Sequence, residues 1–196
     1  MRSILAIGLL VILQQSCFAQ DQAAVIQVKL ERIDEQGNIA TIDLANENVV
    51  QWLRDAISEG QSKVADHVAR VYGSGDIQVE LISTPHPEYQ GQSRYNRIFV
   101  QVDKKLNPAA LIPLLGNAAT QELDVYASLQ VKITKPAQDA RIFTGSAHET
   151  AQYQRGFFRF TSALLEAMNT SGKKVFDEAI NQVISAISEG QPASAK

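Results

Sequence analysis

The chain predicts an α+β fold, an antiparallel β-sheet with two main amphipathic helices packed on one face. Two patterns and their fit carry that expectation. Residues 122–134 alternate without a break. Leu123, Val125, Ala127, Leu129, Val131 and Ile133 lie on one face, and Asp124, Tyr126, Ser128, Gln130 and Lys132 on the other. That period of two belongs to a half-buried strand. Residues 173–189 carry Val175, Phe176, Ala179, Ile180, Val183, Ile184 and Ile187 at three- and four-residue spacing, an apolar stripe that requires a partner surface. A helix of this kind laid on the apolar face of such a sheet satisfies both stripes at once.

The N-terminus reads as an export signal. Arg2 supplies a positive start, residues 4–13 form an uncharged apolar run, and Cys17-Phe18-Ala19 places small residues at −3 and −1 of a cleavage site between Ala19 and Gln20. The run is too short for a bilayer core of about 30 Å. The chain thus divides into a signal peptide at 1–19, a single α+β domain at 20–190 and a flexible tail at 191–196. Cys17 is the one cysteine of the chain. Cleavage after Ala19 leaves a cysteine-free domain that must rely on its own core. Cleavage before Cys17 would instead expose it to lipidation, although Gln14 and Gln15 suit a lipobox poorly. The absence of disulfides in an exported chain points to a bacterial periplasm, or to the outer membrane if Cys17 carries lipid and the protein is peripherally anchored.

Along the domain, residues 25–33 and 39–44 alternate around the turn residues 34–38 and predict a hairpin. Asn46 is a candidate cap for a helix with Val49, Val50, Leu53 and Ile57 on its stripe, Trp52 beside it and Gly60 as its C-terminal stop. A further helical segment is expected over 62–72. Residues 77–81 read as a strand, 84–96 as a loop, and 97–103 as another strand. Asn107-Pro108 starts a short helix that Pro113 interrupts and Gly116 ends. Residues 140–155 form a long return strand after 122–134. A helix is expected over 157–169, punctuated by Thr170-Ser171-Gly172 before the final helix. The hexapeptide AISEGQ occurs at 56–61 and again at 186–191. Duplication of a hairpin-then-helix unit and independent use of a favourable helix stop both account for it.

The net charge is −3, which argues against nucleic-acid binding, where a clustered basic face is expected. His67, His86 and His148 include no i, i+4 pair, and His148 and Glu149 fall on opposite faces of a strand, so no metal site or cofactor is implied. The chain lacks a nucleophile elbow, a Walker A loop and a dinucleotide fingerprint, and it names no catalytic residue. Two stretches suit binding instead. The loop 84–96 holds His86, Tyr89, Arg94 and Tyr95, among them the tyrosine and arginine that are enriched in interfaces. Phe157 and Phe158, flanked by Arg155 and Arg159, suit a lipid surface or a partner, or else pin a helix start to the core.

The element order resembles the YajG-type envelope lipoproteins of Gram-negative bacteria and, more broadly, small α/β accessory modules of outer-membrane assembly. The likeness runs over about residues 46–190. It rests on VVQWLRDAISE at 49–59, the strands at 77–82 and 123–133, YQRG at 153–156 and VFDEAINQVISAI at 175–187. It implies an envelope location, a lipobox cysteine and a non-enzymatic role. The leading expectation is therefore an exported, non-catalytic protein that binds an envelope protein partner through a sheet edge or the loop 84–96. A carrier of a small apolar ligand or lipid, held between the helices and the face of strand 123–133, is the alternative. A hydrolase of envelope polymers, using carboxylates that sequence cannot pair, is the third reading.

Overall fold

The computed structural model describes residues 26–33, 36–45, 47, 49–73, 75–91, 98–105, 120–154 and 160–190. The expected signal peptide, the expected short helix near Asn107 and the expected tail after Gly190 lie outside the described residues. The elements run β1 (Val28–Ile33), β2 (Ile39–Thr41), α1 (Gln51–Tyr72), β3 (Gln78–Ser83), β4 (Gln101–Lys105), β5 (Thr120–Thr134), β6 (Arg141–Gln154) and α2 (Phe160–Glu189). The fold is α+β, as expected, with both helices contributing to one core against the sheet.

The sheet is mixed rather than purely antiparallel. β1 and β2 form the expected hairpin, Glu31 opposite Thr41 and Ile33 opposite Ile39. β1 then pairs β3 in parallel, Val28 opposite Val79, because the intervening helix α1 carries the chain back to the same end of the sheet before β3 begins. All other pairings among the described residues are antiparallel. β6 pairs β5 along its entire length, from Thr120 opposite Gln154 to Ile133 opposite Arg141. β3 and β4 therefore share the other edge of β5. β3 takes residues 129–134 and β4 takes 122–126.

The alternation of β5 sets the layers. Leu123, Val125, Ala127, Leu129 and Val131 are fully buried on the helix face. They meet Phe143 and Ala147 of β6 and Val175, Phe176, Ala179, Ile180, Val183 and Ile187 of α2. Burying the large apolar side chains of that helical stripe stabilises the packed state by on the order of 10 kcal/mol before the entropy of ordering them is counted.

Both helices run through the glycines expected to stop them. α1 is one helix of 22 residues and α2 one of 30. A Cβ on Gly60 would stand 3.1 Å from Ile180 Cδ1 and 3.3 Å from Phe176 Cε1, and one on Gly172 would stand 2.8 Å from Trp52 Cη2. Each glycine lets one helix approach the other rather than ending its own. The true ends are Gly73 and Gly190, both with positive φ of 81° and 65°. α1 also begins without a side-chain cap, at Val50. The Arg54 guanidinium donates to the carbonyls of Leu44 and Glu47 and so ties the segment before the helix to its first turn.

Candidate functional site

The outer face of the sheet carries the polar residues of β5 and β6, and part of it is covered. After β3 the chain does not turn away into solvent. Thr84 continues the ladder, its N–H donating to the Ser128 carbonyl at 3.0 Å, and residues 84–91 then lie across the outer face as a strap. β4 holds the strap down. Gln101 Oε1 accepts the His86 N–H at 2.7 Å while Gln101 Nε2 donates to the Thr84 carbonyl at 3.3 Å. Asp103 Oδ2 accepts the Gln90 N–H at 2.7 Å. The strap also closes on itself, the Tyr89 N–H donating to the His86 carbonyl at 3.0 Å and the Glu88 N–H to His86 Nδ1 at 3.2 Å.

Beneath the strap is a stack of rings. Tyr126 of β5 lies nearly parallel to His148 of β6, centroids 4.5 Å apart and planes 13° apart. Register places them there, since the two residues are directly opposite on adjacent strands. His86 sits 4.8 Å from Tyr126 and 6.5 Å from His148, and Tyr89 approaches Tyr126 edge-on at 6.3 Å. Covered this way, Tyr126 is only 5% exposed although it stands on the polar face of β5. Burial pushes its phenol up to about 12, with the charges of Asp124, Asp103 and Glu88 adding to the effect.

Two carboxylates face each other in the same layer, Asp103 opposite Asp124 across the β4–β5 pair. Like charges so placed repel, and each is neutralised or bonded locally. Asp124 accepts from Thr150 Oγ1 at 2.6 Å, from Lys105 Nζ at 3.0 Å and from His148 Nε2 at 3.2 Å. Burial raises its pKa, and these three donors outweigh it, holding the carboxyl below the usual range. Asp124 is therefore ionised at neutral pH and has no proton to give as a general acid. His148 Nδ1 lies 3.8 Å from Glu88 Oε2 of the strap. Its neighbour Glu149 points to the opposite face, where it accepts from Lys174 of α2 at 2.8 Å, the split between adjacent strand residues that the sequence predicts.

Of the residues singled out from sequence, His86 and Tyr89 meet in this cluster. Arg94, Tyr95, Phe157, Phe158, Cys17, Ala19 and Gln20 lie outside the described residues. Sequence reasoning missed Tyr126, His148, Asp124, Asp103 and Gln101. The alternation of β5 places Asp124 and Tyr126 on one face, but nothing local announces that residues 84–91 would cover them. The described residues hold no group of three or more His, Cys, Asp or Glu arranged for a metal ion, and no described helix is long and apolar enough to cross a membrane.

The second feature is the outer edge of β6. Among the described residues this strand pairs with β5 alone. The Ser146 N–H points away from β5 and donates to Gln182 Oε1 of α2 at 3.1 Å. Backbone groups alternate sides along a strand, so the N–H and C=O groups of Ile142, Thr144, His148, Thr150 and Gln152 are directed to the same outer edge. All of these residues are exposed.

No family model matches the chain, and no curated protein matches it in sequence. Among solved structures it is similar to the rare lipoprotein B from Shewanella oneidensis, at 12% identity and a TM-score of 0.39 over 84% of this chain and 96% of that one. A likeness of that strength assigns neither a family nor an activity to this chain.

Proposed function

We propose that this is an exported, non-catalytic envelope protein that binds a protein partner by accepting an extended segment along the outer edge of β6. The character of that edge supports the reading. Natural sheets protect exposed edges with short strands, inward charges, lysine, proline or bulges, and of these β6 carries one inward charge, Glu149, which is bonded to Lys174 of α2. β6 is 14 residues long, against about 5–6 for an ordinary strand. It contains neither lysine nor proline, and its register with β5 runs without a bulge. Such an edge is a template on which main-chain hydrogen bonds supply affinity and alternate side chains supply selectivity.

Lipid carriage and hydrolysis have less physical support. A lipid between the helices and β5 would have to displace side chains that already fill the seam, each of Leu123, Leu129, Val183 and Ile187 being fully buried. The opposed carboxylates Asp103 and Asp124 are only 6% and 5% exposed, and the ionised Asp124 is committed to three donors.

Proline at an edge-directed position removes an outward N–H and leaves the β5 ladder intact. Ile142→Pro and Thr144→Pro, neither of which carries a side-chain bond to the candidate site, are therefore expected to fold with an unchanged circular dichroism spectrum. Each should bind an envelope partner captured by the wild-type protein about tenfold or more weakly, since each hydrogen bond contributes about 0.5–1.5 kcal/mol and the added strand loses its register as well. Equal capture by wild type and both variants would overturn the reading, as would the absence of any partner in an envelope extract.

A further inference from the structure

We propose that the strap 84–91 is a proton-operated cover, closed over the outer face of β4 and β5 at neutral pH and released when His86 gains a proton. The geometry assigns the role to His86 rather than to its neighbours. It is the buried ring of the strap, 9% exposed, and its Nδ1 is the acceptor for the Glu88 N–H. The closed strap therefore requires the neutral tautomer with its proton on Nε2. A proton on Nδ1 sets two donors against each other, breaks that turn and places a cation 6.5 Å from the His148 ring.

The charges that act on His86 are Glu88 of the strap and His148 of β6, and its ring neighbours are Tyr126 of β5 and His148. Asp103 of β4 and Asp124 of β5 act on the adjacent Tyr126, Lys105 of β4 is paired with Asp124, and Tyr89 of the strap meets Tyr126 edge-on. Asp124 is satisfied by Thr150, Lys105 and His148, and Asp103 bonds the strap through Gln90. Glu88 is the nearby acid that favours a proton on His86, but its side chain is exposed and screened. Burial dominates and pushes the imidazole below its ordinary value, with Glu88 opposing and His148 adding.

Protonation and closure are therefore linked in one direction. A group depressed in the closed state stabilises closure fully above its open-state value of about 6.5, and that contribution is lost as pH falls through the closed-state value. Asp124, depressed in the carboxylate range, still holds its own bonds in this window. Release is therefore local, uncovering Tyr126 and Asp103 while the sheet stays folded.

Amide hydrogen exchange of the full chain tests this. Between pH 7.5 and 5.0, after correction for intrinsic exchange, the peptide covering 84–91 should lose about tenfold in protection while the β5–β6 peptides stay constant. His86→Gln, which keeps an acceptor but cannot titrate, should abolish the pH response. His148→Gln should retain it. In the wild-type protein, NMR titration of the His86 ring and of the Glu88 and Tyr89 amides should give one shared midpoint below 6.5. A strap whose protection does not change with pH, a response that survives His86→Gln, or separate ring and amide midpoints would each overturn the proposal.

Discussion

The two copies of AISEGQ end differently. At 56–61 and 186–191 the same residues lead into a glycine on a helix. Both serines bond back one turn, Ser58 to the Arg54 carbonyl and Ser188 to the Ile184 carbonyl, each at 2.9 Å. Both isoleucines, Ile57 and Ile187, are fully buried. The glycines then diverge. Gly60 is buried mid-helix under Ile180 and Phe176, and α1 continues to Tyr72. Gly190 has φ of 65°, stands in open space, and succeeds the last residue of α2. Glycine serves two opposite purposes: close approach, where a neighbour occupies the place of its Cβ, and chain reversal, where positive φ is needed. A hexapeptide does not distinguish them. The residues beyond it do, because Val64 and Val68 continue the buried stripe of α1 past Gly60, whereas Pro192 comes two residues after Gly190.

Three substitutions sharpen that contrast, in decreasing order of effect. The tightest approach is at Gly145 of β6, where a Cβ would stand 2.1 Å from the Ala179 carbonyl oxygen, a backbone atom that cannot swing aside. Gly145→Ala should push α2 off the sheet and cost about 3 kcal/mol or more in urea unfolding; a loss under about 1 kcal/mol would show that the α2–β6 seam is looser than described. Gly60→Val should cost about 1–3 kcal/mol by overpacking, since Ile180 and Phe176 are side chains that can yield in part. A stabilised Gly60→Val protein would mean that α1 and α2 do not meet there. Gly190→Ala meets nothing, and its penalty is conformational only, about 1 kcal/mol for an L-residue held at positive φ. Thermal unfolding should place it well below the other two, and an equal loss would remove the distinction between crowding and strain.

The candidate site shows the same division. The polar face of β5 was legible because Asp124 and Tyr126 alternate with Leu123 and Val125, and the opposition of His148 and Glu149 came from strand geometry alone. The strap was legible only as a loop rich in binding residues. His86 and His148 are 62 positions apart by number, and they meet because β6 returns along β5 in one register and β3 runs out opposite Ser128. A residue pattern records which face a side chain takes. It does not record which distant segment will cover that face.

By itself the sequence determined the α+β class, the β1–β2 hairpin, the long β5–β6 pair and the apolar stripes of both helices. Each of these is a periodicity of the local backbone, written in residues two to four apart. Only the tertiary structure decided that β1 and β3 run parallel, that Gly60 and Gly172 are contacts rather than stops, and that Tyr126 is buried beneath a strap. Those outcomes depend on which surfaces meet across the core, and van der Waals contact at about 3–4 Å between segments far apart in the chain leaves no periodic trace in either one.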